Sequence, residues 1–141
     1  MIFSVCVNVL FEGDIQHQNE EIIKRITREK MINDIISRIA TIESQNDPKA
    51  YNSKENTIGL LQIRPIMIRE INQLIKQDKY QHEDSWCPEL SVEMFITYQE
   101  IVNPTWDQEL AAKRWNGGRR GERNPNIEIY YQKFLLCNMI Y

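Results

Sequence analysis

Isoleucines recur at Ile32, Ile35, Ile36 and Ile39, with Ile42 beside them, which is the spacing of a helix that buries one face. Glu43 extends the rhythm, four residues after Ile39 and seven after Ile36, so its carboxylate projects from the edge of the buried stripe. Pro48 disfavours helical backbone in the residue before it, so the helix is expected to stop at or before Asp47, with Glu43 in its last turn. Burial and the carbonyl end of a helix both disfavour a charged carboxylate there, and a glutamic acid that keeps its proton near neutral pH is what a general acid needs. Position alone favours the plainer reading, a helix-end glutamate in water.

Ahead of this helix, residues 2–11 are apolar, and Phe3, Val5, Val7 and Val9 alternate, which predicts an edge strand or a packed N-terminal arm. The stretch is too short to cross a bilayer as a helix and lacks the basic start and small-residue cleavage site of an export signal, which leaves an atypical export segment as the other reading. Residues 13–19 read as a loop. The apolar cluster Ile22, Ile23 and Ile26 is separated from Met31 and Ile32 by the polar residues 27–30, where a bend or break is expected. The domain is therefore taken as residues 20–141, with residues 1–19 as an arm.

Beyond Pro48 a loop runs to about Glu55, with a turn at Ser53-Lys54-Glu55-Asn56, and the apolar run over residues 58–63 is too short for a helix. Pro65 suits the first turn of the next helix, which continues through Ile71, Leu74 and Ile75. Residues 78–86 read as a surface loop that Trp86 and Cys87 anchor in the core. Another helix is expected over residues 90–102, with Ser91 as N-cap and Val92, Phe95, Tyr98 and Val102 on one face. Thr105 and Gln108 have the spacing of a capping box and open a helix carrying Leu110, Ala111 and Trp115, which Gly117-Gly118 ends. A basic loop over residues 119–126 leads to a last helix through Ile127, Tyr130, Tyr131, Phe134, Leu135 and Met139. The pattern predicts a mainly α fold with at most a small strand element.

At 141 residues the chain can form an apolar core without disulfides or metal, and its formal net charge of -3 gives no general attraction to nucleic acid. The concentrated positive patch, Lys113, Arg114, Arg119, Arg120 and Arg123, is narrow for a nucleic-acid surface. Three widely spaced cysteines and two histidines offer no zinc-binding spacing, so no metal or other cofactor is expected.

The motifs together resemble the soluble lytic transglycosylase catalytic domain of the lysozyme-like superfamily. Glu43-Ser44 look like its Glu-Ser pair, Asn46 through Asn52 fit the following segment, and Gly59-Leu60-Leu61-Gln62-Ile63 with Pro65 resemble Gly-Leu-Met-Gln-Ile-x-Pro. Pro88, Val92 and Tyr98 fall at the spacing of the family's middle helix. Ala111-Ala112 through Trp115-Asn116-Gly117-Gly118 fit Ala-Ala-x-x-Tyr-Asn-x-Gly, and Tyr130 matches a late tyrosine. The match covers roughly residues 32 to 135. It departs where Asn56 and Thr57 replace glycine and alanine, where Ser91 and Phe95 replace asparagine and glycine, and where Trp115 replaces a tyrosine and loses its hydroxyl.

The resemblance implies an α+β lysozyme-like fold with a cleft, and cleavage of peptidoglycan between MurNAc and GlcNAc to leave 1,6-anhydromuramyl ends. Glu43 is implied as the acid and then the base, Tyr130 as the residue that positions it, and Ser44, Gln62, Trp115 and Asn116 as substrate-binding residues. Each of these side chains has a plainer reading, as cap, core or loop residue. A muramidase of the same fold would need a second carboxylate, for which Asp47 and Glu55 are the candidates. A third reading is a catalytically silent glycan-binding part of a phage, secretion or conjugation assembly. The expected place of action is the bacterial cell wall or periplasm, by an open export route that includes delivery by a virion or transfer apparatus.

Overall fold

The computed structural model describes the backbone of residues 2–137 and the side chains of residues 13–137. Its contacts divide the chain into two units, Met1–Asp34 and Ile35–Tyr141. Helix α1, Ile2–Ser44, runs through that division. The edge strand expected over residues 2–11 is helical, and no break interrupts residues 27–30. A lone strand leaves its backbone N–H and C=O groups without partners, whereas a helix pairs them along its own length, so the alternation of valines does not decide the backbone. Within the first unit, residues 13–30 are exposed, including Ile15, Ile22, Ile23 and Ile26.

The second unit is the folded domain, and its core is built from Ile35 and Ile39 of α1 with Leu61, Ile63, Ile71, Met94, Phe95, Tyr98, Ala111, Ala112 and Phe134. The isoleucine stripe thus buries as its spacing predicts. Helix α1 ends where Gln45 and Asn46 both take left-handed backbone, φ 55° and 64°, with their N–H groups bonded to the Thr41 and Ala40 carbonyls.

A two-stranded antiparallel hairpin follows, β1 (Tyr51–Asn52) against β2 (Thr57–Ile58), with Tyr51 opposite Ile58 and Asn52 opposite Thr57. Asn56 accepts the left-handed turn at φ 51° that its side chain tolerates. The chain then doubles back so that Ile58 also bridges Ile63. Gly59, at φ 80°, lies against the 3-10 turn His82–Trp86, where an added Cβ would stand 1.8 Å from the Ser85 carbonyl oxygen. Only glycine fits that approach.

Helix α2 (Pro65–Ile75) starts on its proline and packs on α3 (Pro88–Val102). Helix α3 begins earlier than expected: Cys87 holds the N-cap position, and Ser91 is fully buried one turn inside, donating to the Ser85 carbonyl at 2.9 Å. Trp86, expected as a core anchor, is 43 % exposed and tilts against Tyr51 at 6.3 Å. Helix α4 (Gln108–Gly117) is capped by Asp107, whose side chain accepts the Leu110 N–H at 2.9 Å. The box expected from Thr105 does not form, because the Thr105 hydroxyl turns to Asn103 instead. Gly118 ends α4 at φ 76°. The basic loop folds into two 3-10 turns, Gly121–Arg123 and Pro125–Ile127, before α5 (Glu128–Leu136). Met139, assigned to that helix from sequence, lies outside the described residues.

Helix α5 is tied to α4 by Lys113, whose ammonium meets Glu109 at 2.6 Å and Glu128 at 2.8 Å and lies 5.0 Å from the Tyr131 ring centre. On its other side α5 meets the end of α1, with the Arg38 guanidinium 4.7 Å from the Phe134 ring centre. This two-sided packing brings Tyr130 to Glu43. The fold is mainly helical with a minor two-stranded element, the α+β lysozyme-like class expected from the sequence.

Candidate active site

The last turn of α1 carries Glu43 to the wall of a cavity bordered by the hairpin, the start of α2 and the end of α4. Tyr130 donates its hydroxyl proton to Glu43 Oε1 at 2.7 Å. Burial pushes the Glu43 carboxyl from 4.5 up to about 7; the Tyr130 hydrogen bond and the Arg64 charge act against that shift, and the Glu55 charge supports it. Burial together with the adjacent carboxylate holds the Tyr130 phenol well above its ordinary range, so it stays protonated and keeps donating. A carboxyl poised near neutral pH, in a cavity and held by a fixed donor, can deliver a proton and take one back.

Ser44 serves the scaffold. Its hydroxyl donates to the Leu60 carbonyl at 2.7 Å, with the Ala40 carbonyl at 3.1 Å, and so ties the end of α1 to the loop after β2. Gln62 also works inward while lining the cavity: its Nε2 donates to the Ala50 and Gly59 carbonyls at 3.0 and 2.9 Å, and its Oε1 accepts from the Thr57 hydroxyl at 2.6 Å. Both amide donors are thereby engaged in closing the hairpin. That network also explains how Gln62 is held at φ 48°, an uncommon conformation for a residue that is not glycine.

Trp115 lines the cavity yet is only 4 % exposed, with its ring edge-on to Phe95 at 4.9 Å and its indole N–H donated to the Leu61 carbonyl at 3.3 Å. It is a wall, with little ring face left for a sugar to stack on. The indole nitrogen supports the motif loop from beneath, and the contact with Glu43 belongs to Tyr130. Asn116 lies on the cavity with its backbone carbonyl bonded to Arg64 Nη2 at 2.7 Å.

Several lining residues escaped the sequence reading. Asn52 and Thr57, paired across the hairpin, share the face that lines the cavity, and Met67 and Arg64 line it from the start of α2. Arg64 carried a signal, as a cation between Ile63 and Pro65 inside the motif. The hairpin pair carried none, because two-residue strands are too short for periodicity to register. Of the two candidate second carboxylates, Glu55 lines the cavity, whereas Asp47 stays in the turn after α1 and accepts the Lys49 N–H at 2.9 Å.

Among the described residues no cluster of three or more histidine, cysteine or acidic side chains could hold a metal ion, and no helix is long and apolar enough to cross a membrane. No curated protein and no solved structure matches the chain. A family model described as the transglycosylase SLT domain matches residues 20–132. That span takes in Glu43, the hairpin, the cavity walls and Tyr130, and the chain belongs to the transglycosylase SLT domain family.

Proposed function

We propose that the protein is a peptidoglycan lytic transglycosylase that cleaves the β-1,4 bond from MurNAc to GlcNAc with Glu43 as its acid and base. Lytic-transglycosylase-type action on peptidoglycan follows from the family. The observation that carries the residue assignment is the hydrogen bond from Tyr130 to Glu43, a cavity-lining carboxyl raised to about 7. In the first half-reaction Glu43 gives its proton to the glycosidic oxygen as the bond from that oxygen to the muramyl C1 breaks. In the second, the muramyl C6 hydroxyl attacks C1 and its proton passes to the Glu43 carboxylate, leaving a 1,6-anhydro ring and a restored acid. The cycle needs one carboxyl group. Tyr130 holds Glu43 in line throughout, Gln62 keeps the hairpin closed, Ser44 ties the end of α1 to the loop after β2, and Asn116 and Trp115 border the space in which the sugar sits.

Glu55 favours a second reading. Because it lines the same cavity, it could activate water and turn the enzyme into a muramidase with reducing muramyl ends. Mass spectrometry of fragments released from purified peptidoglycan separates the two. Anhydromuramyl products from the wild type and none from Glu43→Gln support the transglycosylase, while reducing ends that vanish in Glu55→Gln would replace it with the hydrolase. Glycan binding without release by the wild type would instead favour a silent component of a larger assembly.

The domain we propose runs from residue 20 to residue 141, with residues 1–19 as an arm. The working place we propose is the bacterial wall or periplasm, with the route there left open between export and delivery by a phage or transfer apparatus. Peptidoglycan strands are the partner, with neither nucleic acid nor cofactor required.

A further inference from the structure

A second cavity adjoins the first. It is bordered by the first turn of α2 and by Gly117 and Gly118 at the end of α4, and Arg64, Met67 and Asn116 line both cavities. Arg64 therefore stands at the junction, and among the described residues it is the one cation lining either cavity. Its Nη2 bond to the Asn116 carbonyl fixes the guanidinium in place. A guanidinium has five N–H donors, and among the described residues no further hydrogen bond or ion pair engages this one.

The neighbouring carboxyl groups leave the charge available. Glu70, on the second cavity, is paired with Arg119 at 2.8 Å. Glu43 receives the Tyr130 hydroxyl and makes no ion pair with Arg64 within 4.0 Å, and Glu55 is exposed on the rim. A fixed cation with unused donors in a polar cleft suits a planar anion, and a guanidinium matches the two oxygens of a carboxylate better than a lysine ammonium does.

We propose that Arg64 is a carboxylate-binding residue of the cleft, which takes the acidic group of a muramyl unit, on its lactyl ether or its stem peptide, seated beside Glu43. This rests on the glycan-cleaving reading above and sharpens its substrate: a polymer of uncharged N-acetylglucosamine offers Arg64 nothing, whereas peptidoglycan carries a carboxyl group at every second sugar or on the attached peptide. Arg64 is thus a specificity residue, separate from the acid it neighbours.

The test uses the full chain carrying Glu43→Gln, which removes both turnover and any effect of Arg64 on the Glu43 proton. Calorimetry measures its affinity for a peptide-free MurNAc–GlcNAc oligosaccharide, for the same oligosaccharide bearing stem peptides, and for each after its carboxyl groups are converted to methylamides. Amidation is expected to weaken binding by about ten- to a hundredfold, as for a lost charge-assisted pair. In a protein that also carries Arg64→Met, amidation should cost nothing further. Loss with the peptide-free ligand assigns the lactyl carboxylate, and loss only with the stem peptide assigns the peptide. Equal affinities for the acid and amide forms, or binding of neither, would overturn the proposal, and that comparison does not need the Arg64 variant to fold. A wild type that releases no fragments would defeat the catalytic reading alone, because the acid-against-amide comparison is made without turnover.

Discussion

Glu43 and Lys113 are both charged residues drawn into the packing of residues 35–141, and the fold treats them in opposite ways. Lys113 is met by two carboxylates, at 2.6 and 2.8 Å, and those bonds raise its affinity for its proton, so its charge is secured. Glu43 is met by a neutral phenol, and burial raises its carboxyl to about 7. A charge with a structural task is compensated where it sits, because an unpaired buried ion destabilises the fold. A group that must gain and lose a proton is left undercompensated, so that both of its forms are accessible. On the reading proposed for Glu43, the difference between the two clusters separates scaffold from chemistry.

The largest test of this contrast is Glu43→Gln, which should reduce turnover of peptidoglycan by about a thousandfold or more in a fragment-release assay, since general acid and base assistance are both lost. The same substitution sharpens the contrast through stability. The Glu43 carboxyl is raised on folding, so between pH 4.5 and about 7 the unfolded chain gives up its proton while the native protein keeps it, and wild-type stability falls as pH rises. Urea unfolding should show the wild type losing up to about 3 kcal/mol relative to Glu43→Gln across that interval. The Lys113 cluster has the opposite sign: its bond holds the Glu128 carboxyl below the usual range, so its contribution is present above that range and lost as pH falls through it.

Tyr130→Phe removes the donor that favours the ionised form of Glu43 and should slow turnover by about tenfold. The acid is active while protonated, so rate falls as pH passes its pKa; without the Tyr130 bond that pKa rises, and the alkaline limb of the pH–rate profile should move to higher pH. An unmoved limb would mean that Tyr130 only packs. The smallest catalytic effect is expected from Lys113→Met, which should lower the melting temperature by several degrees and leave turnover per folded molecule within about twofold, because Lys113 reaches the site only through the packing of α5. A loss of turnover as large as that of Glu43→Gln would erase the distinction between the two clusters.

What was legible in the sequence follows the range of the signal. The isoleucine stripe placed Glu43 at the end of a buried helix, and the motif order placed Tyr130 in its company across 87 residues, where no periodicity could. Gln62 was singled out in the sequence and lines the cavity, but its orientation was not legible: that its amide turns into the hairpin depends on the carbonyls of Ala50 and Gly59, which only the folded loop collects, and Ser44, also singled out, turns its hydroxyl to the Leu60 carbonyl. Trp86 was misread because its size suggested core, whereas the loop that carries it leaves it beside Tyr51 at the surface. The N-terminal alternation misled for another reason. A strand is defined by its partner, and the pattern in residues 2–11 contains none. Caps failed on local competition: Asp107 accepts the Leu110 N–H of α4 and takes the capping position expected of Thr105.

The central claim is that Glu43 holds its proton because its burial is only partly compensated, and the titration of that one carboxyl tests it most directly. In protein labelled with 13C at the glutamate side-chain carboxyl, and with Glu43→Gln used to assign the resonance, the Glu43 signal should titrate with a midpoint of about 7. A midpoint at the ordinary value of 4.5 would contradict the account, since an ionised Glu43 could not serve as the acid at neutral pH.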